Sequence, residues 1–329
     1  MPLSLHVDGK KWRSHLSSML AHHPGLVPVI KGNGYGFGLA FLANEASRMG
    51  VETVAVGLAS EVMSVRSAFK GEIVVLSSDG LEDSELDERT IVTISNLKDL
   101  KSISNVQEII VEVCSPLQRH GISIDEIATA QEIFKFRDLT CRGYMLHLPI
   151  ADFDAAWVRR ALTAIPSGST VWVSHIPHLS QFKMDFPTLT FRERIGTHLW
   201  LGDESALSAT ATVLENRKLT GTAGYRQRKI NSHLIVASGG TSHGIGLSAP
   251  NGDRSVVGRT KGFARALESL LGRDRSPYRW NGSVLDFFEP PHMQCSMLIS
   301  KGTDQPKVGD ELTLRVRFTT TNFDQATIR

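Results

Sequence analysis

Cysteine is scarce in this chain: the three present, Cys114, Cys141 and Cys295, share no metal-ligand spacing. Their odd number argues against a disulfide framework, and no metal site is expected. An excess of either charge is also missing, since 36 basic and 34 acidic residues leave +2, spread along the chain. That balance suggests neither nucleic acid nor an anionic membrane as a partner. No apolar run is long enough to cross a bilayer, and Met1 to His6 lacks a basic region followed by an apolar core. With neither a span nor a leader expected, the cytoplasm is the default location. Internal repeats and low-complexity segments are absent too.

What is present is ample apolar material. With 329 residues, 41% of them hydrophobic, the chain can fill one barrel and a smaller domain. Over the first two-thirds, short apolar strands alternate with amphipathic helical stretches. Strands are expected at Val27–Ile30, Thr53–Gly57, Ile73–Leu76, Ile91–Ile94, Ile109–Val113, Arg142–His147 and Val171–His175, with a last one near Arg194. Helices such as Leu39–Met49, Glu61–Phe69, Asp125–Phe136 and Phe153–Ala164 fall between them. Eight βα units in roughly 200 residues fit a TIM barrel, whose catalytic groups lie at the carboxyl ends of its strands. The barrel is expected over residues 1–204, and Lys31, Arg119, His147 and Arg194 stand at or just beyond strand ends. Past Gly202 the pattern turns to strand-like pieces separated by Gly, Pro, Asn and Asp, which predicts a mostly β domain over 205–329. A basic, turn-rich insertion at about 247–280, with one short helical stretch at Gly262–Leu271, reads as a solvated loop.

The densest signal is Val27-Pro28-Val29-Ile30-Lys31-Gly32-Asn33-Gly34-Tyr35-Gly36-Phe37-Gly38. A buried strand ends on a lysine, and the glycines that follow let backbone come close to a ligand. Two readings are open: a strand-end lysine beside a flexible turn, or a desolvated lysine whose lowered pKa lets its neutral amine form a Schiff base with pyridoxal phosphate (PLP).

The segment V-I-K-G-N-G-Y-G-F-G resembles the V-K-A-N-A-Y-G-H-G of alanine racemases, fold-type III PLP enzymes. The resemblance implies that Lys31 carries PLP and that Tyr35 holds its phosphate. It continues in chain order. Phe191-Arg192-Glu193-Arg194-Ile195-Gly196-Thr197-His198-Leu199 is similar to V-R-P-G-I-A-L, which puts Arg194 on the pyridine nitrogen with Gly196 and Thr197 beside the cofactor. An arginine keeps its proton, so that nitrogen stays unprotonated and the electron sink is weakened, which suits brief carbanion lifetimes. Gly143-Tyr144-Met145-Leu146-His147-Leu148-Pro149-Ile150-Ala151-Asp152 resembles G-x-x-T-H-F-A-x-A-D, implying that His147 stacks near the ring. Gln118-Arg119-His120-Gly121 resembles G-R-L-G and implies that Arg119 fixes the substrate carboxylate, a planar target that suits a guanidinium fork. Upstream, the family's lysine and aspartate positions are Glu112 and Cys114.

The second domain departs from the family pattern. Its G-Y-A-D-G-Y segment, which supplies a tyrosine as second base to the partner subunit, corresponds to Ser238–Gly246, with Thr241 in the tyrosine's place and His243 and Tyr225 nearby. A threonine hydroxyl is a far poorer base than a phenol. The R-V-C-M-D-Q loop corresponds to Met293–Leu298, which makes Met297 a substrate contact, and Cys295 matches a loop cysteine of ornithine-type decarboxylases. The resemblance implies a PLP-dependent amino-acid racemase, acting as a homodimer on a small amino acid. For alanine the product would be the D-amino acid of peptidoglycan. Decarboxylation, another one-face PLP reaction, or PLP binding without catalysis are the alternatives.

Overall fold

The computed structural model describes residues 2–79, 86–104, 108–247, 275–300 and 302–329. The chain divides into two compact units, one of residues 13–34 and 38–202, the other of 1–12, 35–37 and 203–329. It opens on β1 (Leu3–Val7) and α1 (Gly9–His22). The larger unit then holds eight parallel strands: β2 (Val27–Pro28), β3 (Thr53–Val56), β4 (Glu72–Val75), β5 (Thr90–Ile94), β6 (Glu108–Val113), β7 (Thr140–His147), β8 (Thr170–Ser174) and β9 (Thr190–Ile195). Their order is β2-β9-β8-β7-β6-β5-β4-β3, and a parallel bridge from Val29 to Ala55 closes the ring. This is the TIM barrel that the alternating pattern predicts.

The reason these segments become strands is visible in their composition. Runs such as Ile73-Val74-Val75 and Ile109-Ile110-Val111 are β-branched and wholly buried, as parallel strands covered on both faces must be. One side of the ring packs inward through Val27, Val74, Ile91, Ile110, Met145 and Trp172. The other packs against α2 (Leu39–Arg48), α3 (Val62–Arg66), α4 (Leu97–Ser102), α5 (Ile127–Arg137), α6 (Ala155–Ala164), α7 (Leu179–Asp185) and α8 (Thr197–Leu201). Asn96 and Asp154 cap α4 and α6 by accepting the N–H groups of Asp99 and Trp157 at 2.8 and 2.9 Å. At the amino ends of the strands Arg142 donates to Glu108 at 2.6 Å and to Glu72 at 2.7 Å, while Arg192 lies 4.8 Å over the Trp172 ring. These bonds brace the barrel at the end away from the residues singled out above.

The smaller unit is antiparallel apart from one strand pair. It contains β10 (Leu207–Ala223), β11 (Arg228–Ser238), β12 (Arg275–Trp280), β13 (Ser283–Phe287), β14 (Cys295–Ser300), β15 (Glu311–Leu314) and β16 (Gln325–Ile328). The order β11-β14-β13-β12-β15-β10 closes through β10–β11 pairing, giving a second, β-only barrel around Ala211, Ile235, Tyr278, Leu298 and Leu312.

Two expectations change here. Residues 3–7, read as part of the first barrel, pair instead with β10 and β16 of the second, because Leu3, Leu5 and Val7 are fully buried there. Of the insertion expected at 247–280, residues 275–280 are strand: Ser276 and Tyr278 alternate inward against β13 and β15. Its helical stretch, Gly262–Leu271, lies outside the described residues.

Candidate active site

Lys31 follows β2 at the carboxyl end of the barrel, in a loop with an unusual backbone. Gly32, Gly34, Tyr35, Gly36 and Gly38 all have φ between 55° and 91°, a region open to glycine and costly for tyrosine. At Gly34 a Cβ would sit 2.8 Å from the Leu39 nitrogen, so the loop can turn into α2 only with glycine there. Tyr35 itself is buried and groups with the smaller unit. The strand below is anchored from both sides, with Ile30 N–H donating to Ala55 O at 2.7 Å and Trp200 Nε1 to Val29 O at 2.8 Å.

Four of the expected site residues converge electrostatically at this end. Burial, then the charges of Arg119 and Arg194, lower the Lys31 pKa below the ordinary lysine value, and Glu61 partly opposes them. Arg194, on β9, is buried, and desolvation above all pushes it down to about 10, with Glu112 acting in the opposite sense. Among the described residues its Nε and Nη2 are buried without a hydrogen-bond partner. His147, the last residue of β7, is held down to about 3, first by burial and then by Arg194, Arg119, His175 and Lys31. Its Nδ1 is also buried and unpartnered, while its carbonyl accepts the Ser115 hydroxyl. Arg119 is exposed on the loop after β6. Gly196 starts α8 by accepting the Trp200 N–H at 3.0 Å, with Thr197 exposed beside it.

Three residues that the sequence reading did not assign to the site belong to it. Glu61 accepts the Gly32 N–H of the lysine loop; Glu112 is a buried carboxylate that accepts the Ser95 hydroxyl at 3.1 Å; His175 packs beside His147. Position at a strand end was a signal for His175. Glu112 stood out only as a departure at the family's lysine position, and Glu61 gave no signal beyond its charge.

Thr241, His243 and Met297 lie in the smaller unit. Thr241 opens a short turn, and its N–H donates to His292 O at 2.8 Å. His243 has both ring nitrogens engaged: Nδ1 accepts the Gly240 N–H at 3.1 Å, so Nε2 carries the proton and donates to Asp324 at 3.2 Å. Met297 pairs with Val236 across β14 and β11 and packs on a small cluster of Ile230, Leu234 and Phe288. Next to this turn, His292 donates from Nε2 to the buried Glu289 at 2.7 Å and stands 4.0 Å from the Cys295 sulfur.

A family model described as alanine racemase, N-terminal domain, matches residues 7–165. Over those residues, just under half of its length, the chain is similar to the alanine racemase family. An alanine racemase of Campylobacter jejuni is 27% identical over 140 residues, and one of Campylobacter curvus 28% over 124. The matches cover 42% and 38% of this chain, and only 41% and 36% of those relatives' own length. Solved structures extend the likeness in fold across both units. Alanine racemase from Clostridium difficile 630 superposes with a TM-score of 0.67 at 16% identity, over 95% of this chain and 87% of that one. The alanine racemase of Bartonella henselae with covalently bound pyridoxal phosphate gives 0.70 at 15%, over the whole of both chains.

Proposed function

We propose that this chain binds PLP through Lys31 and interconverts the enantiomers of a small amino acid. One observation carries the reading: a buried arginine with two nitrogens unpartnered among the described residues stands at the barrel mouth that also holds a lysine of lowered pKa. Burying donors without acceptors costs free energy, typically ~1–3 kcal/mol each, and a ring nitrogen on a ligand would relieve it. The residues therefore fit the cofactor of the family. Lys31 would hold it covalently, Arg194 would donate to its ring nitrogen, His147 would pack beside it, and Tyr35, Gly196 and Thr197 would complete its site.

Once bound, PLP supplies an electron sink that acidifies the Cα–H bond of an attached amino acid. The chain's own residues do the rest. A Lys31 amine with a lowered pKa is more often neutral near pH 7 than an ordinary lysine, and it can take or return the Cα proton on its face. His147 stays neutral across that range and adds no positive charge where the carbanion develops. Arg119 is the cation available to orient the substrate carboxylate. In the homodimer that the family reading implies, the smaller unit would supply the group on the opposite face.

That second group decides between two readings. Inversion requires Thr241, or a neighbour such as His243, to act there. His243 has both nitrogens occupied, which favours proton transfer on one face only, as in decarboxylation or elimination. Either way the lysine chemistry is common to both. Reconstitution with PLP followed by borohydride reduction and peptide mapping tests it. The label is expected on Lys31, and a label on another lysine, or none, removes the basis of the proposal.

A further inference from the structure

The loop that carries Lys31 is held by a carboxylate from a different βα unit. Glu61 Oε1 accepts the N–H of Gly32, the residue after the lysine, at 2.6 Å. Its Oε2 accepts two more, from Gly57 at 2.7 Å and Leu58 at 3.1 Å. One side chain thus ties the loop after β2 to the loop after β3. Gly57 makes room for this: a Cβ there would lie 3.1 Å from Glu61 Oε2 and 3.2 Å from Lys31 Cβ. Hydrogen bonds to an ionised acceptor are about twice as strong as neutral ones, so three on one carboxylate make a stiff clamp.

We propose that Glu61 is the positioning residue of Lys31, pinning the backbone that carries its amine and supplying a negative charge that faces it. The inference rests on Lys31 being the reacting amine, as argued above. All three partners are backbone N–H donors, which the two carboxylate oxygens accept. The charges acting on Lys31 are then Arg119 on the loop after β6, Arg194 on β9 and Glu61, with His147 on β7 neutral. Two cations oppose one anion. Glu61 limits how far the amine is depressed and, by fixing Gly32, keeps it from swinging out of the barrel mouth.

The test uses the cofactor-free full chain and reads the amine directly. Acetic anhydride labelling across pH, with quantification of the Lys31 peptide, gives the titration of that lysine. In Glu61→Gln one acceptor becomes a donor and the charge is lost. The Lys31 profile should move to lower pH, with roughly fivefold more labelling below the midpoint, the size of one removed charge in a half-screened site. A profile identical to the wild type overturns the proposal. Should Glu61→Gln fail to fold, Glu61→Asp carries the test, since it keeps the charge but cannot reach both loops. Amide exchange at Gly32 and Gly57 should then quicken by roughly tenfold or more while the Lys31 profile stays near wild type. Unchanged protection of both amides overturns the clamp. Because no step involves PLP, these outcomes are independent of whether the labelling on reconstitution succeeds.

Discussion

The ring of His147 lies 5.3 Å from that of His175, centroid to centroid and tilted by 49°, at the mouth of the first barrel. Burial of the His147 ring, and after it the charges of Arg194, Arg119, His175 and Lys31, disfavour proton uptake, so its folded pKa, about 3, falls below the unfolded 6.5. Between those values the unfolded chain binds more protons than the folded one. Stability should therefore rise with pH through that window and be lost as pH falls from 6.5 toward 3. Denaturant unfolding of cofactor-free protein at pH 7 and 4.5 checks this. His147→Asn should lose less stability on acidification than the wild type, and parallel losses would remove His147 as the cause.

Arg194 and Arg142 are both arginines on barrel strands, yet they should respond in opposite ways. Arg194 has two unpartnered nitrogens, so Arg194→Met should change cofactor-free stability by less than about 1 kcal/mol, because the desolvation penalty goes with the charge. PLP retention should fall by roughly tenfold or more, the worth of one charge-assisted bond. Equilibrium dialysis and chemical unfolding on the same samples separate the two effects.

Arg142 satisfies two carboxylates with bonds of 2.6 and 2.7 Å. Arg142→Met should cost about 1.5–3 kcal/mol, measured by chemical unfolding, while leaving the acetylation profile of Lys31 intact. A shift in that profile would mean that the amino-end network reaches the site.

The turn holding Thr241 and His243 yields a third contrast. If one face lacks a base, Thr241→Tyr should speed inversion, by up to about a hundredfold where the loop holds the ring. His243→Ala should act mainly by loosening the Gly240 and Asp324 contacts, lowering the melting temperature of the whole chain. Inversion abolished at full stability would instead make His243 the base.

Much of this was legible in the sequence because the barrel strands are local signals. Val74 and Ile110 sit in β-branched runs buried on both faces, and Lys31, Arg119, His147 and Arg194 were placed by the rule that strands end on function. What escaped depends on distant pairing. β1 is five residues whose partners, Leu207–Ala211 and Gln325–Ile328, lie at the other end of the chain. β12 hid behind Arg275, Pro277 and Arg279, residues that read as a loop until alternation buries Ser276 and Tyr278. Glu61 stands 29 residues from Gly32 in sequence, and only closure of β2 against β3 brings them together. His243 read only as a neighbour of Thr241, because its partner Asp324, 81 residues on, is invisible to local inspection.

The central claim, that this chain moves the Cα proton of an amino acid with Lys31, is tested most directly in heavy water. PLP-reconstituted protein is incubated with each small L-amino acid, and Cα deuteration, enantiomer ratio and carbon dioxide release are followed together. The account predicts deuterium at Cα and growth of the D-enantiomer for at least one substrate, both lost in Lys31→Ala. Carbon dioxide release with no inversion would turn the reading to a one-face reaction, and no exchange with any amino acid would contradict it.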